Sequence, residues 1–302
     1  MSHRQVADLP ELLAPGDLLV VNDTKVLAAR LSGRKQPTGT EVDVLFVKDC
    51  GDAVWEVMLK GRFRVGQMIL FDGEASATVV QRDESGTKIK VVSPVPVVDL
   101  LRTHGRMPLP PYIKRPAQPE DQVWYQTCFA DRDGAIAAPT AGLHFTPELM
   151  VRLRARGVDM ATVTLHVGLG TFKPVVVEHI EEHQMGAEWF EVSARTVEAI
   201  RKTKRTGGRI IAVGTTAVRA LESAAQQDGW IQSAVGESRL FISPGCQFNV
   251  VDVLMTNFHL PRTTLLMLVS ALAGVELMRT AYAEAVAQRY RFYSYGDAML
   301  IL

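Results

Sequence analysis

Three short stretches of this chain place an imidazole beside other polar groups in a turn. "AAPTAGLHF", residues 137 to 145, carries Thr140 and His144; "HVGLGTFKP", residues 166 to 174, carries His166 and Thr171; "LMTNFHLPRTT", residues 254 to 264, carries Asn257, His259 and Arg262. Imidazole titrates near neutrality and moves protons in either direction. Polar groups on a loop held by buried flanks are a common site arrangement. Gly168 and Gly170 make the second stretch either a plain turn or a place where backbone approaches a ligand. The dinucleotide reading of those glycines fails, because a third glycine and an immediate helix are missing and Pro174 follows.

Other motifs bear on charge and metal. In "AVGTTAVRALES", strand, turn and helix follow in order, so Gly214, Thr215 and Thr216 present a helix N-terminus that attracts anions or that a threonine caps. "RYRFYSYGDAML" interleaves arginines with Tyr293 and Tyr295, whose rings could stack on a base or a sulfonium; read as a strand, half of the cluster faces the core. "HIEEH", residues 179 to 183, has a zinc-hydrolase spacing but a poor helix around it. The basic runs "KGRFR" and "RKTKRTGGR" read first as solvated faces.

The elements that must position these groups follow from texture. "LLVV" is a short buried strand that ends at "NDT". From about Gly33, apolar alternation recurs between Gly/Asp turns, which predicts a small antiparallel barrel over residues 33–99. The prolines of "MPLPPYIKRPAQP" predict an extended segment. Helix and strand then alternate: Thr146 and Pro147 start a helix, "VDMATVTLHV" is a strand, Ser193 to Arg205 a helix, "RIIAV" a strand. The expected fold is an α/β main domain, residues 1–32 and 100–302, with an inserted all-β barrel-like domain. With 33 basic and 33 acidic residues, global charge selects no partner. Cys50, Cys128 and Cys246 form no CxxC pair, which points to free thiols and a cytoplasmic setting. The apolar region 250–274 is interrupted too often for a bilayer span.

Taken together, "PGDLLVVNDTKVLAARL", "MPLPPYI", "AAPTAGLHF", "VTLHVGLGTFKPV", "IIAVGTTAVRALES", "VVDVLMTNFHLPRTTLLMLVSALAG" and "YRFYSYGDAML" closely resemble the S-adenosylmethionine:tRNA ribosyltransferase-isomerase family of queuosine biosynthesis (QueA family). The blocks run in family order over nearly the whole chain. The resemblance implies that the ribosyl part of S-adenosylmethionine moves onto 7-aminomethyl-7-deazaguanine at the tRNA wobble position. It then rearranges to the epoxycyclopentanediol of epoxyqueuosine, and adenine and methionine leave. It further implies an α/β domain with an inserted barrel, the tRNA anticodon stem-loop as partner, no membrane, no metal, and no cofactor beyond S-adenosylmethionine as co-substrate. A monomer is the expected state.

Such a site needs a base beside the sulfonium and a proton donor for adenine. On that resemblance His144, His166 and His259 are candidates for proton transfer, and Thr140, Thr171 and Asn257 for orienting substrate. Gly214, Thr215 and Thr216 with Arg219 would hold the methionine carboxylate; Tyr293 and Tyr295 near Asp297 would stack on adenine or an anticodon base; Gly168, Gly170, Glu188 and Arg262 complete the expected contacts. Two departures stand out. The family usually has a few dozen residues before "LPELLAPGDL", an expectation of a shortened start here. Where it commonly reads H-x-M-H-S-E, this chain has "HQMGAE": His183 and Glu188 match, but Gly186 and Ala187 replace a histidine and a serine. The rival readings are a zinc-dependent hydrolase built on "HIEEH" and a non-catalytic tRNA-binding relative.

Overall fold

In the computed structural model, which describes residues 1–84, 86–110, 112–168, 180–183, 185–226 and 230–302, the chain divides into two compact units. One comprises Met1–Lys25, Thr127–Arg132 and Ala138–Leu302; the other comprises Val26–Gln126 and Asp133–Ala137.

The first unit is built on a seven-stranded sheet. Its spatial order is Ala234–Ser238, Glu188–Val192, Asp159–Leu165, Leu18–Asn22, Ile210–Val213, Val253–Asn257 and Ala298–Ile301. The four strands from Asp159–Leu165 to Val253–Asn257 are parallel, and the strands flanking them are antiparallel. Leu18–Asn22, first in the chain, lies inside the parallel set and is buried along its whole length. That follows from its composition, since a parallel strand covered on both faces reads as a continuous apolar run. Leu19, Val21, Ile211, Val213, Val253 and Met255 share a core cluster with Phe145 and with Leu149 and Leu153 of the Pro147–Ala155 helix. The helix starts where its sequence dictates: Thr146 Oγ1 accepts from Leu149 N at 3.2 Å and Pro147 opens the first turn.

Helices Ala194–Arg205 and Thr215–Ser223 lie where expected, the first capped by Ser193 Oγ accepting from Thr196 N at 3.2 Å. Two apolar helices, Thr264–Ala273 and Val275–Ala287, bend by 114° at Gly274, so no single helix among the described residues is long and apolar enough to cross a membrane. Residues 290–297, read from sequence as strand, form a tight turn instead, and the strand begins only at Ala298. Gly296 explains it: a Cβ there would lie 2.4 Å from Arg291 O, a separation that only glycine avoids.

The second unit holds a closed six-stranded antiparallel barrel, in the order Arg30–Lys35, Thr40–Asp49, Val54–Leu59, Gly86–Val92, Ser76–Asp83 and Met68–Phe71. Alternate residues such as Val44, Phe46, Trp55, Val57, Val79, Ile89 and Val91 fill it. Closure occurs where Arg30–Lys35 meets Met68–Phe71, and Gly33 permits it, because a Cβ would come within 2.7 Å of Ile69. The barrel thus begins at Arg30, before the glycine that marked its expected edge. Segment 100–126, read from sequence with the α/β part, belongs to this unit: the Val97–His104 helix contacts Arg30–Lys35, and Arg30 and Arg106 form a backbone bridge.

One carboxylate ties together the starts of two central parallel strands. Asp17 is 2% exposed and accepts from Ala14 N at 2.9 Å, Arg209 N at 3.0 Å and Arg209 Nη2 at 2.7 Å. Burial alone would raise its pKa, but the bonds from Arg209 and Ala14 outweigh burial and hold it below the usual value. A depressed carboxyl stabilises the fold above its unfolded pKa, near 3.8, and loses that contribution as pH falls through the folded value. Asp17→Asn is expected to cost about 1.5–3 kcal/mol at pH 7. Urea unfolding should show the gap to wild type closing once the pH drops below 3.8.

Candidate functional site

All four central strands point their carboxyl ends the same way and lead into polar groups, three of the four into residues singled out from sequence. Leu18–Asn22 leads into Asp23 and Thr24, Asp159–Leu165 into His166, Ile210–Val213 into Gly214–Thr216, and Val253–Asn257 ends on Asn257 itself. The chain order reverses at Leu18–Asn22, which has later parallel strands on both sides. In open α/β sheets ligands bind in the crevice at the carboxyl edge beside such a switch point.

His144 is placed by the Thr140–His144 turn, a single 3₁₀ turn that contacts Val253–Asn257. The turn depends on Gly142, where a Cβ would lie 2.7 Å from Phe129 and Thr127. Asn257, 2% exposed, joins three partners: its Oδ1 accepts from Thr140 Oγ1 at 3.1 Å, and its Nδ2 faces His144 Nε2 at 3.2 Å and Tyr293 O at 3.3 Å. A carbonyl oxygen can only accept, so Tyr293 O fixes the amide nitrogen on that side. His144 Nε2 must then accept, which leaves the ring proton on Nδ1. Desolvation lowers the His144 pKa, opposed by the field of Asp297 and reinforced by that of Arg291, so the ring is neutral at pH 7. Tyr293 takes φ 75°, a left-handed backbone uncommon for a tyrosine.

His166 is held from a second side. Its Nδ1 lies 2.8 Å from Oγ1 of the fully buried Thr24, its ring stacks on Trp189 with centroids 4.9 Å apart and 18° between planes, and its N–H donates to Trp189 O at 2.9 Å. Arg132 covers Trp189 at 5.9 Å and pairs with Glu191 at 2.7 Å. Asp23, beside Thr24, is desolvated, which raises its pKa despite hydrogen bonds from Thr164 and Thr162. Thr24, Trp189 and Arg132 were not among the residues chosen from sequence. The "NDT" at the end of an apolar run was the available signal for Thr24; nothing local announced Trp189.

Glu188 and Arg219, expected on substrate, face each other. They form a buried ion pair, each side chain 5% exposed. Glu188 Oε1 also accepts from Gly168 N at 3.0 Å, and Arg219 Nε donates to Leu240 O at 3.3 Å. The pair therefore clamps the backbone after His166 to the Thr215–Ser223 helix, and Arg219 Nη2 is buried with no hydrogen-bond partner among the described residues. Gly214 begins that helix at φ 84°, and the buried Thr216 Oγ1 has no partner among the described residues. Thr215 and Thr216 are its first two residues, with Gly214 as cap.

His259 Nε2 lies 2.9 Å from Thr256 Oγ1, its N–H donates to Tyr282 at 2.8 Å, and desolvation lowers its pKa to about 4. Arg262 is exposed, and Tyr293 and Tyr295 are partly exposed. Asp297 accepts from Arg291 N at 2.7 Å and pairs with Arg291 Nη2 at 3.2 Å. Gly170 and Thr171 lie outside the described residues, as does His179.

A sequence profile described as "Queuosine biosynthesis protein" matches residues 1–301. The chain belongs to this queuosine biosynthesis family. A relative from Bradyrhizobium sp. (strain BTAi1), named S-adenosylmethionine:tRNA ribosyltransferase-isomerase, is 52% identical over 317 residues, covering 100% of this chain and 87% of the relative. One of the same name from Acidithiobacillus ferrooxidans is 53% identical over 298 residues, covering 98% and 86%. The crystal structure of an S-adenosylmethionine tRNA ribosyltransferase from Thermotoga maritima matches with TM-score 0.54 and 38% identity, over 100% of this chain and 88% of that one.

Membership of the queuosine biosynthesis family fits the barrel-bearing α/β architecture and leaves the hydrolase reading unsupported. Ile180–Glu182 is one 3₁₀ turn, whereas the zinc spacing needs an α-helix, and His183 packs on Phe241 with ring centroids 5.3 Å apart. Gly186 is exposed with open space at its Cβ position.

Glu188→Gln leaves Arg219 buried without its counter-charge. It is expected to lower stability by about 3–5 kcal/mol in urea unfolding. His259 should titrate near pH 4 by NMR, and its depressed value means stability is lost as pH falls from 6.5 towards 4, where the unfolded chain alone takes up the proton.

Proposed function

We propose that this chain is an S-adenosylmethionine:tRNA ribosyltransferase-isomerase and that its chemistry takes place at the carboxyl edge of the parallel sheet. The observation that carries the reading is the joining of Thr140 and His144, from one turn, to the sequence-distant Asn257 in one hydrogen-bonded unit at that edge in a chain of this family. The reaction moves the ribosyl group of S-adenosylmethionine to the aminomethyl nitrogen of 7-aminomethyl-7-deazaguanine at the wobble position. It rearranges the sugar to an epoxycyclopentanediol and releases adenine and methionine. The tRNA is engaged through its anticodon stem-loop, by a cytoplasmic monomer with no further cofactor.

The histidines take different parts in this reading. Neutral His144, with Nε2 occupied by Asn257, offers its Nδ1–H as a hydrogen-bond donor to the departing adenine. His166 removes the proton beside the sulfonium; its support is the orienting contact at Nδ1 from Thr24, an arrangement that catalytic bases share. His259 holds the loop after Val253–Asn257, because a group of pKa about 4 carries few protons near neutrality. The first turn of the Thr215–Ser223 helix, with its N-terminal N–H groups, receives the methionine carboxylate together with Arg219, whose Nη2 is buried without a partner among the described residues.

Incubation of the protein with S-adenosylmethionine and a pre-modified anticodon stem-loop should release adenine and methionine and yield a heavier nucleoside. His166→Ala should lower the single-turnover rate by about 10²- to 10⁴-fold, and a wild-type rate in that variant rejects the assignment. Because burial depresses His144, its protonation should affect kcat/KM only below pH 6.5.

A further inference from the structure

The barrel carries a concentration of positive charge that the reaction site does not use. A depression of about 550 Å³ on this unit is lined by Lys35, Arg62, Arg64 and Arg82 around Phe63, with Gly61 and Gln67 at its margin. In a chain whose formal charges sum to zero, four cations share one concavity. None of the four has a carboxylate partner among the described residues, while other acids of this unit are engaged elsewhere. Asp43 is taken by Arg30 and Arg106, and Asp99 and Asp133 by Arg102.

Two of these cations are held in place. Lys35 Nζ donates to Arg62 O at 2.7 Å and lies 4.8 Å from the Phe63 ring centre. Arg82 Nη2 donates to Gly61 O at 2.8 Å, and its guanidinium carbon lies 5.6 Å from the same ring. Arg82 Nη1 is buried with no acceptor among the described residues. Phe63 is 8% exposed, so it cannot stack on a base and acts as a platform that orients charge. Arg62 and Arg64 project into solvent on either side of it. Fixed cations without carboxylates and without an exposed aromatic face suit phosphate, and a row of phosphates best, since each neutralised phosphate releases counterions.

Resting on the proposed tRNA reaction, we infer that this barrel surface, "KGRFR" with Lys35 and Arg82, binds the sugar-phosphate backbone of the tRNA substrate. It contributes affinity and register without reading bases. The occupant is chosen by charge complementarity: four unpaired cations meet the polyanion that the reaction requires.

The test is equilibrium binding of full-length tRNA carrying the 7-aminomethyl base, measured from 50 mM to 300 mM salt on wild type, Arg62→Ala/Arg64→Ala and Arg62→Lys/Arg64→Lys. Both side chains are exposed and have no hydrogen bond or ion pair among the described residues, so unchanged thermal unfolding midpoints serve as the fold control. The alanine variant should bind about tenfold more weakly near 150 mM, with a log–log salt slope shallower by about 1.4–1.8, the value for two lost phosphate contacts. The lysine variant should regain most of that slope. Unchanged affinity and slope in the alanine variant would overturn the inference, as would saturable binding of inorganic phosphate there with no effect on tRNA. If the wild type instead binds tRNA with the steep slope yet releases no adenine, the proposed reaction fails and the surface assignment stands.

Discussion

The parallel pairing of four short strands is the constraint on which the rest depends. Parallel pairing forces the carboxyl ends to one edge, and burial on both faces forces the strand interiors to be apolar. Most polar side chains then gather where the strands stop. Asn22 shows the transition: its Oδ1 accepts from Thr24 N and Leu165 N, and its Nδ2 donates to Leu165 O. The amide splices the ends of two adjacent strands and delivers Thr24 to His166. At the opposite edge, Asp17 and Arg209 join two strand starts, so alignment is enforced at both ends of Leu18–Asn22.

Electrostatics then sorts the polar groups by task. The Glu188–Arg219 pair is buried and bonds to backbone on both sides, which makes it a clamp, while Arg219 Nη2 stays buried without a hydrogen-bond partner among the described residues. Such pairs contribute little net stability but are costly to break. His144 and His166 each carry one fixed contact from a side chain whose own orientation is set, by Tyr293 O through Asn257 in one case and by buried Thr24 in the other. His259 is drained of basicity by its surroundings. Burial thus lowers the pKa of both His144 and His259, which sit in similar loops with different neighbours.

The barrel obeys different rules. Its antiparallel strands close on themselves, its apolar residues alternate, and charged side chains gather on the outside where the turn at residues 60–64 meets Lys35 and Arg82. A run such as "KGRFR" is ordinary as sequence. It becomes a site only when barrel closure brings Lys35 and Arg82 over Phe63.

By itself the sequence determined the strands and helices with strong local signals: the apolar run 18–21, the Thr146–Pro147 and Ser193 helix starts, the Gly214 turn and the alternating barrel strands. It also determined membership of the family, through blocks that keep their order over the chain. It picked Thr140, His144 and Asn257 as polar loop residues, because each sits beside an apolar segment that must end. What only the tertiary structure decided was who meets whom. Thr140 and Asn257 are 117 residues apart, and Thr24 and His166 142 apart; no local pattern encodes such a contact, because sheet order selects the neighbour. For the same reason no local pattern showed that Arg219, expected on the methionine carboxylate, also pairs with Glu188.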